Sequence, residues 1–267
     1  MEREIMPGFA ELKRAFDELG LEGKPVIAHA SLKKFGNNIQ GGPKTVIQAL
    51  LASSSGVIMP TFTYKTMITP EVGPPNNGIT YGSGRNENKM AEPFNHAMPP
   101  DKMMGLLPLA LIRERSAMRT SHPILSFGGV QADDILSSQT LFDPLAPIKA
   151  LTEKDGQVVL INVDHSVNTS IHYAEKLAGR RQFVRWALTP GRIVECPGFP
   201  GDSSGFNAIE EHIQADVIRV DMEGGAFVQS ISLKRLIDVT VELLKKSPLA
   251  LLCQRTDCER CNAVRNM

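Results

Sequence analysis

The sequence predicts an α/β protein, one domain built on a mixed, partly parallel sheet. Three observations carry that expectation. Residues 24–64 read as strand, glycine turn, helix and strand, the order in which parallel sheets are wound. The later chain carries two hairpin patterns, one around Pro190-Gly191 and one within 217–231, which add antiparallel strands. The chain has 267 residues, 42% of them apolar, enough for one large core.

The elements follow in chain order. Residues 8–20 have helical spacing, with Phe9, Leu12, Phe16 and Leu19 on one side. KPVIAHAS, residues 24–31, is a short apolar run that ends in small and polar residues, as a strand end does. Gly41 and Gly42 turn the chain, Pro43 suits a first helical turn, and Val46, Ile47, Leu50 and Leu51 keep helical spacing. GVIMPTFTY, residues 56–64, reads as a second buried strand. Residues 65–100 are rich in Gly, Pro and Asn and lack periodicity, and a loop of that length points to the substrate side of a site. Residues 101–115 are apolar at helical spacing, with Pro108 either kinking the helix or lying in its first turn. ILSFGGVQ (124–131) and QVVLINV (157–163) are strand-like, and 170–181, 205–215 and 233–246 are helical.

Composition excludes several classes. Lys and Arg number 29 against 29 Asp and Glu, so no global field draws the chain to nucleic acid or to an anionic membrane. No stretch approaches the ~18–20 apolar residues of a membrane span. The N-terminal residues alternate in charge and lack the apolar centre of a signal peptide. Three of the 4 cysteines crowd the C-terminus, which suits a reducing compartment better than a disulfide framework, and the expected location is the cytoplasm.

Three segments carry polar residues where chemistry is done. HASLKKFGNNIQGGPK places Ser31, Lys33, Gly36, Gly41 and Gly42 between a strand and a helix, where backbone N–H groups can hold an anion such as a pyrophosphate. Neither GxxxxGK[ST] nor GxGxxG is present there, which removes the standard nucleotide motifs. RTSHPILSFGG brings Arg119, Ser121 and His122 to a strand start. SIHYAEKLAGRR places His172 and Glu175 three apart, on one helix face.

Nucleophile motifs are missing: there is no GxSxG elbow, no HExxH and no zinc-deaminase signature. Cys196 has no cationic neighbour closer than Arg192, so an activated thiolate is not expected. What remains is a base without a protein nucleophile. A histidine, with an unperturbed pKa of ~6.5, suits proton removal near neutral pH. Glu175, Glu210 and Glu223 are each candidates to orient its ring.

Six ordered pieces resemble one family. HASLKKFG with IQGGPKTVIQALL, then GVIMPTFTY, MMGLLP, RTSHPILSFGGVQAD, FDPLAPIKAL and VVLINVDHSVNTSIHYAEKLAGRRQFVRW are similar to the aminoglycoside N3-acetyltransferases. The likeness covers roughly residues 25–187 and continues more weakly to about 245. It implies a single three-layer α/β/α-type domain that binds acetyl-CoA and acetylates an amine. The implied acceptor is the 3-amino group of a 2-deoxystreptamine aminoglycoside, an antibiotic-resistance activity. The alternatives are a non-antibiotic amine metabolite and a silent CoA-binding homologue. The resemblance implies His172 as base with Glu175 as its acidic partner, and His29 at the cofactor and substrate cleft. The turn carrying Ser31, Leu32, Lys33, Phe35 and Gly36 is implied to hold CoA phosphates, with Thr61, Thr63, Ser121 and His122 lining the cleft. A polycationic acceptor needs acidic walls, for which Asp143, Asp164 and Glu175 are candidates. A homodimer fits the same likeness.

Residues 1–252 are expected to form the acetyltransferase domain and 253–267 a cysteine-bearing tail. Cys253, Cys258 and Cys261 have C-x4-C-x2-C spacing, which supplies most of a structural zinc site, with Cys196 or His212 as the fourth ligand.

Overall fold

A computed structural model describes residues 7–35 and 39–267. In chain order the elements are α1 (Phe9–Glu18), β1 (Pro25–Ala30), α2 (Pro43–Ser53), β2 (Gly56–Pro60), β3 (Met67–Ile68), α3 (Leu106–Leu111), β4 (Met118–Arg119), β5 (Phe127–Val130), α4 (Asp133–Leu136), α5 (Ala146–Glu153), β6 (Gln157–Ile161), α6 (Ser170–Leu177), β7 (Phe183–Thr189), β8 (Arg192–Phe199), α7 (Glu210–Ile213), β9 (Ile218–Asp221), β10 (Phe227–Ser232), α8 (Leu233–Lys246) and α9 (Glu259–Arg265).

The main sheet runs β4-β5-β2-β1-β6-β10-β9. β1 pairs in parallel with β2 and with β6, and the flanking strands are antiparallel. The sheet is therefore mixed, as expected, although the antiparallel edge formed by β4 and β5 already appears in the first half of the chain. Strand side chains alternate between faces. Val26, Ala28, Val57, Met59, Val159 and Ile161 pack with Leu12 and Phe16 of α1, Ile47 and Leu50 of α2, and Leu107 and Leu111 of α3. Ile27, Ile58, Val158 and Leu160 face the other way, onto Leu151 of α5, Ile171 of α6 and Leu236 of α8. Two helix layers on one sheet give the α/β/α sandwich.

Several boundaries differ from the sequence reading, each for a local reason. Phe9 is exposed, because α1 is short and its first residue projects beyond the core. The 56–64 strand ends at Pro60; the N–H groups of Thr61 and Thr63 still find Ser126 and Ile124 carbonyls (2.8 Å each), but as separate bonds rather than a ladder. The 157–163 strand ends at Ile161, because Asn162 takes a left-handed φ of 56°. Helix α3 is confined to 106–111, and Pro108 lies in its first turn, where an N–H has no helical partner to lose.

The hairpin around Pro190-Gly191 forms, but in a second sheet of order β3-β7-β8. That sheet inserts Phe183, Ala187 and Phe199 into the core on the α5/α6/α8 face. The long 65–100 segment is pinned to it. The Asn77 side chain accepts the Val184 N–H (2.9 Å) and donates to the Val184 carbonyl (3.0 Å), and the Phe94 N–H donates to the Leu188 carbonyl (2.9 Å).

Candidate active site

The parallel strands diverge at β1, with β2 on one side and β6 on the other. Open α/β sheets form a crevice at the carboxyl ends of the strands at such a switch point. A cavity of about 650 Å³ lies there, walled by His29 and Ala30 of β1, Pro60 after Met59 of β2, Val163 after β6, His172 of α6 and Pro200–Ser204 after β8.

The chain start of α6 is set by Asn168, whose side-chain oxygen accepts the Ser170 N–H (3.1 Å). His172 and Glu175 then fall one turn apart, and His172 Nδ1 lies 2.7 Å from Glu175 Oε2. Beyond the helix, Gly179 takes a φ of 80°, a left-handed turn that glycine adopts without penalty. That reversal carries Arg180 back to Glu175, where Nη1 donates to Oε1 at 2.6 Å. Arg180 Nη2 also donates to the carbonyls of Pro248 (2.6 Å) and Ala250 (2.7 Å). The Phe206 ring packs edge-on against the imidazole, 4.7 Å between centroids.

Glu175 is 1% exposed, and a carboxylate that deep must be paired. Arg180 supplies the counter-charge. An ionised carboxylate only accepts hydrogen bonds, so Nδ1 of His172 carries the proton and donates it to Glu175. Nε2 is then left as the nitrogen with a lone pair to take a proton. Of the three carboxylates considered for the task, Glu175 is the one that reaches the ring; Glu210 accepts from Asn207 (3.3 Å), and Glu223 is on an exposed turn.

Burial holds two further histidines of the expected cleft, His29 and His122, in the neutral form. Burial, aided by His165, pushes the His29 pKa down to about 3, and burial pushes His122 down to about 4. Among the described residues, buried His29 Nε2 at the cavity wall has no hydrogen-bond partner. His122 Nδ1 accepts the N–H groups of Ile124 (3.2 Å) and Leu125 (2.9 Å), so it braces a turn.

The expected cleft residues do not all reach one cavity. His29 and His172 face the same cavity. Thr61 and Thr63 are fully buried, their hydroxyls taken by the backbone carbonyls of Ser126 (3.0 Å) and Pro123 (2.7 Å). Ser121 and His122 line a second cavity of about 550 Å³ with Arg119, Gln139 and Arg192. In the turn after β1, the Ser31 N–H donates to the Ile161 carbonyl (2.9 Å), Leu32 is half-buried, Lys33 is exposed and Phe35 is in the core. Gly36 lies outside the described residues. The carboxylates expected as acidic walls are also engaged. Asp143 pairs with Lys176 (2.9 Å), Asp164 accepts the Ser166 N–H (2.9 Å), and Glu175 holds His172.

The C-terminal segment folds back beside this cavity. The Sγ atoms of Cys253, Cys258 and Cys261 and a carboxylate oxygen of Asp202 all lie within 4.8 Å of one another, and all four residues are buried. Neither expected fourth ligand joins them. Cys196 lies in β8, its thiol pushed up to about 12 by burial and by Glu195, and His212 is exposed on α7.

Sequence reasoning missed Arg180, Phe206, Asp202, Arg185 and Arg260, which surround the cavity or its base. Gly179 just past a helix end signals a chain reversal, but nothing local in the sequence shows that it brings Arg180 to Glu175. Asp202 sits in the turn GDSSG, which looks like any polar loop.

The chain matches a family model described as aminoglycoside 3-N-acetyltransferase over residues 27–245. Aminoglycoside N(3)-acetyltransferase IV from a Salmonella species is 28% identical over 178 residues, which are 63% of this chain and 59% of that relative. Aminoglycoside N(3)-acetyltransferase VII from Streptomyces paromomycinus is 30% identical over 62% of this chain and 59% of its own length. The crystal structure of aminoglycoside acetyltransferase AAC(3)-IVa, as apoenzyme, superposes with a TM-score of 0.78 at 23% identity, covering 100% of this chain and 99% of that one. A binary complex of AAC-IIIb with CoASH superposes with a TM-score of 0.72 at 19% identity, over 91% and 97%. These likenesses agree on the fold.

Proposed function

The chain belongs to the aminoglycoside 3-N-acetyltransferase family, and from that premise we propose that it transfers an acetyl group from acetyl-CoA to an amine of a 2-deoxystreptamine aminoglycoside. The observation that carries the reading is the buried Arg180–Glu175–His172 relay at the wall of the switch-point cavity. Acetyl-CoA is the co-substrate. Met59, Phe62, Met103 and Met104 give the cavity an apolar side suited to a pantetheine arm, Arg185 and Arg260 give it cations for phosphate, and His29 Nε2, without a partner among the described residues, adds a polar contact.

An amine is protonated at neutral pH and cannot attack a thioester until it loses a proton. His172 takes that proton at Nε2, and the amine nitrogen bonds to the acetyl carbonyl carbon. The carbon–sulfur bond breaks, the sulfur leaves as CoA thiolate and takes up the second proton, which the nitrogen sheds as the amide forms, and the products are an amide, CoA and the proton held on His172. Glu175 fixes the ring and stabilises the imidazolium, and Arg180 fixes Glu175. Base assistance of this kind contributes ~10²–10⁴-fold. Cys196, buried and with a raised pKa, is no candidate acyl carrier, so transfer is direct in a ternary complex.

A second reading is favoured by charge. The charged residues lining the cavity are two arginines, Arg185 and Arg260, and one aspartate, Asp202, itself paired with Arg260 at 3.2 Å. That wall is not acidic, and it suits an amine with fewer positive charges than an aminoglycoside. Thiol release from acetyl-CoA, measured against a panel of aminoglycosides and monoamines with a no-acceptor control, separates the two. Acceleration by the aminoglycosides supports the first reading, and acceleration by monoamines alone supports the second.

The second ligand in this reading is a zinc ion on Cys253, Cys258 and Cys261, structural and outside the acetyl transfer. Free buried thiols and an acetyl-CoA co-substrate both fit the cytoplasm.

A further inference from the structure

We propose that Asp202 is the fourth ligand of this zinc site, and that the ion thereby fastens the C-terminal segment to the wall of the acetyl-transfer cavity. The inference deepens the zinc assignment and is independent of which amine is acetylated.

The donor set comes from two distant parts of the chain. Three thiols come from residues 253–261 and one carboxylate from the turn after β8, and their ligand atoms are within 4.8 Å of one another. In a tetrahedral site with zinc–sulfur bonds of ~2.3 Å, neighbouring sulfurs are about 3.8 Å apart, so closure onto an ion needs shifts of no more than about 1 Å. Soft thiolates select zinc over magnesium or calcium, and one carboxylate oxygen is an ordinary fourth partner.

Charge makes the same argument. Asp202 is 8% exposed, and its Oδ2 receives both Arg255 (3.0 Å) and Arg260 (3.2 Å). Two guanidiniums against one carboxylate leave an unbalanced positive charge. Three thiolates around a divalent ion carry one net negative charge, so the ion, thiolates, carboxylate and guanidiniums together cancel. A carboxylate has two oxygens, and one can bind the ion while the other keeps the arginines.

The site is joined to the chemistry through the same turn. Pro200–Ser204 lines the cavity, as does Arg260, which lies between Cys258 and Cys261 in sequence. Gly201 packs towards Glu175, the carboxylate that orients His172. On the far side, α9 is tied to the 65–100 segment, with Thr80 donating to Glu259 and Asn76 donating to the Ala263 carbonyl (3.0 Å). An ion at this position therefore holds three segments in register around the cavity.

The test uses the full chain, purified without chelator. Zinc content is read by elemental analysis, and zinc release is followed with a chromophoric chelator after thiol modification by a mercurial. The expected result is about one zinc per chain, with Asp202→Asn weakening zinc by at least ~10-fold in chelator competition. Zinc removal is expected to raise hydrogen exchange in residues 199–204 and 253–265 together. Cys258→Ser, measured in parallel, is expected to lose the ion. Absence of zinc with all thiols titrating freely, a disulfide among the three cysteines by mass, or undiminished zinc affinity in Asp202→Asn would each overturn the proposal. None of these readouts uses acetyl-CoA, so a failed acetylation assay leaves them standing.

Discussion

His172 is the third residue of α6, and its orientation is fixed by a buried carboxylate that is itself fixed by Arg180. Glu175→Gln keeps the shape of that link and removes its charge. The imidazolium then loses its stabiliser and Arg180 is left buried without a counter-ion. The expected outcome is a fall in kcat of at least ~10²-fold, together with a stability loss of about 3 kcal/mol, read by steady-state kinetics and denaturant unfolding. An unchanged kcat would show that Glu175 serves folding only. The neutral histidines set a pH dependence. The folded-state pKa of His29 is about 3 and that of His122 about 4, both depressed by burial. The unfolded chain therefore binds protons that the folded chain refuses. The stability tied to these groups is complete above their unfolded pKa of ~6.5 and declines as pH falls towards 3–4, by about 2 kcal/mol each at pH 5. Unfolding free energies that stay flat between pH 7 and pH 5 would contradict this. The His172–Glu175 pair was legible in sequence, because helical spacing alone brings i and i+3 together. Arg180 was not, since it reaches Glu175 only through the left-handed turn at Gly179.

Elements were legible in kind and less so at their ends. β1, α2, β6, α8 and both hairpins follow from apolar spacing and turn residues, which act locally. Strand β2 stops at Pro60, where the next N–H groups find separate carbonyls far away in sequence, and β6 stops at Ile161, before the left-handed Asn162; the apolar pattern carries neither. The sheet that receives the first hairpin is likewise chosen by packing. One close approach between elements is testable. A Cβ on Gly205 would lie 2.6 Å from the backbone of Leu251 and Leu252, with no flexible side chain to give way. Gly205→Ala is expected to push the C-terminal segment off the turn after β8, costing about 2–3 kcal/mol of stability by urea unfolding. A loss under about 0.5 kcal/mol would show that this contact yields freely.

At the scale of the molecule, the β2-β1-β6 arrangement puts a crevice at the carboxyl ends of the parallel strands, and the second sheet and the C-terminal segment close its sides. The sandwich was foreseeable from the βαβ start and the late hairpins. The cavity's composition was not, because Asp202, Arg185 and Arg260 come from segments that meet only in three dimensions. Among the described residues no helix is long and apolar enough to cross a membrane. The function proposed here stands on His172 as the base for acetyl transfer from acetyl-CoA. The most direct measurement is CoA release from acetyl-CoA with a 2-deoxystreptamine aminoglycoside, for the wild-type chain and His172→Ala, alongside CoA binding by calorimetry. Expected are acceptor-dependent release by the wild type, a loss of at least ~100-fold in the variant, and CoA affinity unchanged within about threefold. A variant that turns over near the wild-type rate would contradict it.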